Sequence, residues 1–186
     1  TSARQLKAEA DNYKKWLGLL SLETGDLVMA LEYTNRSIEL DPQDISVYSQ
    51  LGAILNEMDD FDLAIKSYTA GLKVDPDDMR CRAGLASTLI KLGKLDEAKR
   101  EIIEANKKGG EEHPMVLSVS ALIDSFSGQK QEALGKIEQV LTTESSSLDI
   151  LLLAHQLMVN LEEDEKAEEI LETMQSLAPD DARVMT

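Results

Sequence analysis

The sequence runs to 186 residues, 42% of them hydrophobic and 4% aromatic, with 35 acidic against 19 basic side chains and a formal net charge of -16. That is enough apolar material to bury a core, either as one globular domain or as one repeat array. The charge argues against nucleic acid and anionic membrane surfaces as partners, because the potential around such a chain repels phosphate.

Leu, Ala, Glu, Lys and Met recur throughout, while Val and Ile never gather into short alternating runs, so the composition predicts helices and no strands. Cys81 is the only cysteine, which excludes an intrachain disulfide and a four-thiolate metal site. No apolar run approaches the roughly 18 to 20 residues that a membrane-spanning helix needs. Thr1 to Ala10 is charged and has no apolar signal core. The chain starts at Thr1 and not at an initiator methionine, which reads as a trimmed or processed form, and its compartment stays unassigned.

A repeat organises the chain. Ala30, Ala64, Ala98, Ala133 and Ala167 follow one another at steps of 34, 34, 35 and 34 residues, the extra residue falling near His113 and Pro114. A second ruler agrees, since Asp41-Pro42 recurs as Asp75-Pro76, 34 residues on. In chain order, residues 1–10 read as an N-terminal helix extension, and repeats follow at 11–44, 45–78, 79–113, 114–147 and 148–181. Residues 182–186 read as the opening of a truncated or capping helix, with a frayed or partner-seeking end. The second repeat is the clearest: Tyr48, Leu51 and Leu55, then Phe61, Ala64, Ile65, Tyr68 and Leu72, lie at helical spacings of three and four. The polar break Asn56 to Asp60 separates the two stripes, and Asp75-Pro76 ends the second. Each repeat is therefore a helix, a tight turn, a second helix and a stop.

Catalytic signatures are missing. The sequence has no phosphate-binding glycine loop, no His-Glu-x-x-His, no Cys-x-x-Cys and no nucleophile elbow. His113 sits in a connection and His155 in a helix, and neither suggests a triad. Glu162, Glu163, Asp164 and Glu165 lack the glycine turn of a calcium loop and read as a solvated turn. Asn35-Arg36-Ser37 matches a glycosylation acceptor only formally, inside a predicted helix. Cys81 stands at a helix start beside Arg80 and Arg82, where a thiolate is favoured, against the plainer reading of an inert thiol. No catalytic residue, metal ligand or cofactor is assigned.

Leu51, Gly52, Ala64 and Pro76 carry the pattern of the tetratricopeptide-repeat family, which the chain resembles over nearly its whole length. Leu17, Gly18, Gly25, Ala30 and Pro42 repeat it, as do Leu85, Ala86, Gly93 and Ala98, then Ala121, Gly128 and Ala133. Gly110 replaces the expected Pro in the third repeat. In the fifth, Ala167 and Pro179 fit, but His155 occupies the small-residue place, which predicts a helix pair splayed or shifted by one residue. The resemblance implies an all-α solenoid of antiparallel helix pairs forming a right-handed superhelix, with the first helix of each pair on a concave inner wall.

By that register, partner-binding residues are Lys15 and Leu19 in the first repeat, Ser49, Ala53 and Asn56 in the second, and Arg80, Ala83, Ser87 and Ile90 in the third. Met115, Ser118 and Leu122 follow in the fourth, with Leu152, Gln156 and Val159 in the fifth. The wall is mostly small or apolar. Family members that clamp acidic chaperone tails use paired Lys, Asn and Arg on this face, whereas Leu19 and Ala53 stand in the asparagine places here. The expected ligand is an apolar strip of helix or extended peptide, and the expected role is a non-catalytic scaffold or adaptor supporting assembly of a multiprotein complex. The alternative is the recruiting segment of a larger enzyme whose catalytic domain lies outside this chain. Charge is uneven: Met79 to His113 has eight basic and six acidic residues, Leu148 to Thr186 two basic and ten acidic. Opposed patches of this kind suit head-to-tail pairing between copies.

Overall fold

The computed structural model describes residues 2–23, 26–142, 147–181 and 184. Among them are ten α-helices and no strand: α1 (Ala3–Glu23), α2 (Leu27–Leu40), α3 (Ile45–Glu57), α4 (Phe61–Val74), α5 (Met79–Lys91), α6 (Leu95–Lys107), α7 (Pro114–Phe126), α8 (Lys130–Thr142), α9 (Leu148–Asn160) and α10 (Asp164–Leu177). The fold is an all-α helical repeat.

Short polar residues start the helices. Asp26, Asp44, Asp60 and Ser147 accept the backbone N–H of Met29, Ser46, Leu63 and Ile150, respectively. Each such cap contributes about 1 kcal/mol relative to alanine. Pro114 enters α7 in its first turn, where no N–H is needed. At the exits of α2 and α4, Asp41 and Asp75 take φ of -141° and -135°, since the following proline disfavours helix. Their carboxylates then accept the N–H two residues on, from Gln43 at 3.2 Å and from Asp77 at 2.9 Å. The recurring Asp-Pro pair is thus both a stop and a turn.

The turn inside a helix pair uses one device after α3, α5, α7 and α9. The N–H groups of Asp60, Lys94, Gln129 and Glu163 reach back to the carbonyls of Leu55, Leu89, Asp124 and Met158 at 2.9, 2.8, 2.8 and 3.0 Å. This 6→1 bond requires a left-handed residue just before its donor. Those residues are Asp59, Gly93, Gly128 and Glu162, with φ of 57°, 73°, 78° and 59°. Glycine adopts this conformation freely, whereas a side chain costs about 1 to 2 kcal/mol.

Two compact units form, Thr1–Thr88 and Leu89–Thr186, and their boundary lies within α5. In the first, Tyr13 of α1 meets Tyr33 of α2 with ring centroids 5.5 Å apart. Fully buried Ala30 packs with Ile54, Leu27 and Leu31. The Tyr68 ring lies between Gly52 and Gly84, and a Cβ on either glycine would overlap it. Its hydroxyl accepts from Asn56 Nδ2 at 3.5 Å. The fully buried Thr88 hydroxyl lies 3.0 Å from Asn56 Oδ1 and 2.8 Å from the Gly84 carbonyl, either of which can take its proton.

In the second unit, Leu117, Leu122, Ile137, Leu157, Met158 and Met174 build one apolar cluster from α7 to α10. Lys136 of α8 pairs with Asp124 of α7 and donates to Ser120 Oγ at 2.8 Å. Lys130 donates to the carbonyl of Leu161, the C-cap of α9, at 2.8 Å and pairs with Glu163 at 2.9 Å, which holds the Glu163 carboxyl below its ordinary range. Fully buried Ala154 supplies the small side chain of α9, and its neighbour His155 is half-buried. At the chain end, 182–183 and 185–186 lie outside the described residues, but Val184 is 3% exposed and packs on the cluster.

Gly84→Ala is expected to lower stability by about 1 to 3 kcal/mol through overpacking against Tyr68, outweighing alanine's better helix propensity of about 1 kcal/mol. Glu162→Gly is expected to raise stability by about 1 kcal/mol by relieving the left-handed turn. Urea unfolding followed by circular dichroism checks both signs.

Candidate functional site

The first helices of the pairs place the residues that the sequence singles out for partner binding. Lys15 and Leu19 belong to α1, but their side chains lie outside the described residues. In the first unit, Ala53 is exposed, and Ser49 and Ser87 are half-buried, with Ser49 Oγ donating to the Ser46 carbonyl at 2.9 Å. Arg80 is exposed and paired with Asp78 at 3.4 Å.

Asn56 and Ala83 are inside. The Asn56 amide is occupied by Tyr68 and Thr88, which makes it a strut between helices and removes it from the exposed wall. In the second unit, Ser118 and Leu122 are likewise buried, Ser118 donating to the Pro114 carbonyl at 2.9 Å and Leu122 packing in the apolar cluster. These four side chains are taken up by stacking and do not face solvent.

What remains exposed in the second unit is uneven. Ile90, Met115 and Leu152 are half-buried against the cluster, Gln156 is exposed, and Val159 is 51% exposed. Leu152, Gln156 and Val159 share one face of α9 by their spacing of four and three. Phe126, at the last turn of α7, is 54% exposed. The stripe on α9 is uncharged in a region where acidic side chains dominate.

Sequence reasoning missed a pocket of about 340 Å³ formed by α8, α9 and α10. Its floor is Val140, Ile150, Leu151, Met158 and Ile170, all buried. Its mouth carries Glu138, Lys166, Glu169 and Thr173, with Lys166 and Glu138 paired at 2.9 Å. Glu138 raises the Lys166 ammonium above its ordinary value, aided by Glu163 and Glu169.

Other singled-out groups are structural. Cys81 is fully buried, with its Sγ beside Gly71, and burial, followed by Asp78, pushes the thiol up to about 12 against a smaller lowering by Arg80. Burial therefore favours the plainer reading of an inert thiol over the thiolate that the helix start and the flanking arginines could support. Ser37 of the Asn35-Arg36-Ser37 triplet is fully buried in α2. Among the described residues no group of three or more His, Cys, Asp or Glu is arranged to hold a metal, and no helix is long and apolar enough to cross a membrane. At neutral pH, Cys81 in the folded chain is expected to resist a thiol-reactive dye and to label at the rate of a free thiol once urea unfolds the protein. Comparing the two rates by absorbance checks this.

Residues 55–123 match the tetratricopeptide repeat family model, which spans the end of α3 to most of α7. No curated protein matches the chain in sequence. Among solved structures, a thermophilic TPR protein of Thermus thermophilus aligns with TM-score 0.73 at 15% identity, over 97% of this chain and 95% of that one. A chain of the APC/C hetero-tetramer Cut9-Hcn1 aligns with TM-score 0.70 at 16% identity, over 98% of this chain and 38% of its own. YrrB, described as a TPR protein with an unusual peptide-binding site, aligns with TM-score 0.53 at 19% identity, over 99% of this chain and 97% of its own. Residues 55–123 thus carry the tetratricopeptide repeat pattern, and the chain shares the all-α helical-repeat fold of these structures over nearly all its length.

Proposed function

We propose that this chain is a non-catalytic interaction scaffold that binds an apolar strip of peptide or helix from a partner protein along the exposed faces of its first-of-pair helices, and so supports assembly of a multiprotein complex. The observation that supports this reading is the uncharged α9 stripe on which Gln156 and Val159 are exposed and Leu152 is half-buried, in a chain of net charge -16. An amphipathic helix laid on such a stripe gains apolar burial without desolvating a charge. In the first unit, Ser49, Ala53 and Ser87 offer small side chains that let a backbone approach.

A clamp for an acidic chain terminus is disfavoured. Ala53 supplies no hydrogen-bond donor from its side chain, and Arg80 already shares its charge with Asp78. Two structural neighbours, one described by its peptide-binding site and one a subunit of a hetero-tetramer, support the class of partner.

Affinity capture with the wild type beside Val159→Glu and Ala53→Glu tests the reading. Both positions are exposed, so helicity by circular dichroism is expected to be unchanged. A charge placed in an apolar contact is expected to weaken retention of bound proteins by about tenfold or more, roughly 1.4 kcal/mol. Recovery of the same proteins in the same amounts by all three chains shows that these faces are not used.

A further inference from the structure

The second unit also carries an apolar pocket and, on a different helix, a side chain suited to fill it. The floor of the pocket between α8 and α10 is wholly aliphatic and thioether, and the pocket, which opens to solvent, has a volume of about 340 Å³. Its mouth holds two carboxylates, Glu138 and Glu169, against the single ammonium of Lys166. The surrounding stretch from Leu148 to Thr186 has ten acidic and two basic residues, so the field at the mouth is negative. An occupant must therefore combine an aliphatic anchor with flanking positive charge.

The α6 helix presents that combination. Ile103 is 53% exposed, and Lys99, Arg100 and Lys107 lie four before, three before and four after it, on one helix face. Arg100 and Lys107 are exposed, Lys107 sharing part of its charge with Glu104 at 2.5 Å. The aliphatic stems of such side chains cover apolar surface while their heads reach acidic groups.

We propose that the pocket between α8 and α10 receives the α6 face of a second copy of this chain, with Ile103 as the anchor and Arg100 paired against Glu169. Anchor and pocket are different surfaces, so the contact is heterologous and adds copies head to tail. It uses neither the α9 stripe nor the small residues of the first unit, and so is independent of the partner-binding reading. Salt weakens it, because the guiding charges lie at the solvent-exposed mouth.

Sedimentation velocity over a range of protein concentrations at low and high salt tests the inference. The expected result is a mass that grows with concentration and shrinks with salt. Ile103→Ser, Arg100→Glu and Glu169→Lys, each at a half-exposed or exposed position, are each expected to weaken association by about tenfold or more with helicity retained. Mixing Arg100→Glu with Glu169→Lys is expected to restore it, since every contact in an alternating array then joins opposite charges. A wild type that stays monomeric at every concentration overturns the proposal. So does association that these substitutions leave intact, and a mixture that fails to recover shows that Arg100 and Glu169 do not face each other.

Discussion

No helix in this chain can cover its own apolar stripe, so each must bring another backbone close, and only small side chains permit that approach. Ala30, Ala64, Ala98 and Ala133 are all fully buried, and Ala167 is 6% exposed, at the spacing that defines the repeat. Where a large group enters instead, the neighbours become small: the Tyr68 ring is accommodated by Gly52 on one helix and Gly84 on another. This constraint spends one face of every helix on stacking. The surface available for partners is what stacking leaves uncovered.

Electrostatics then works within that frame. The second unit carries few lysines for its acids, and three of them tie helices together: Lys136 to Asp124, Lys130 to Glu163 and the end of α9, and Lys166 to Glu138. Pairs at or near the surface contribute little individually, because water screens them. Lys130 does more than pair, because it also satisfies the C-cap carbonyl of Leu161. The same sparse lysines leave the mouth of the pocket between α8 and α10 net acidic, which ties the local packing of the last helices to the charge that a visitor would meet.

Helix existence and pair turns were legible because they depend on neighbours in sequence. The Asp-Pro pairs close their own turns through carboxylates that reach two residues on, and Gly93 and Gly128 mark left-handed turn positions directly. Asp59 and Glu162 take the same conformation without a glycine to mark it. The candidate site was read less well for a related reason. Ser118 and Leu122 of α7 hold the same register as Leu152 and Gln156 of α9, 34 residues on, yet the first two are buried and the last two are half-buried or exposed. Periodicity identifies a face but not whether another helix lies over it. Cys81 shows the same limit, because its neighbours in sequence are arginines, whereas its neighbours in space close around the sulfur and disfavour the charge.

By itself the sequence determined the helices, their pairing, the period and the net acidic charge, because each follows from local propensity or from a sum over the chain. Tertiary structure alone decided which side chains of a given register are buried, that Ala154 takes the small-residue role beside His155, and that α8, α9 and α10 leave a pocket between them. Those outcomes depend on distances between helices far apart in the chain, set by the summed bulk of many side chains at once, and no single stretch of residues encodes that sum.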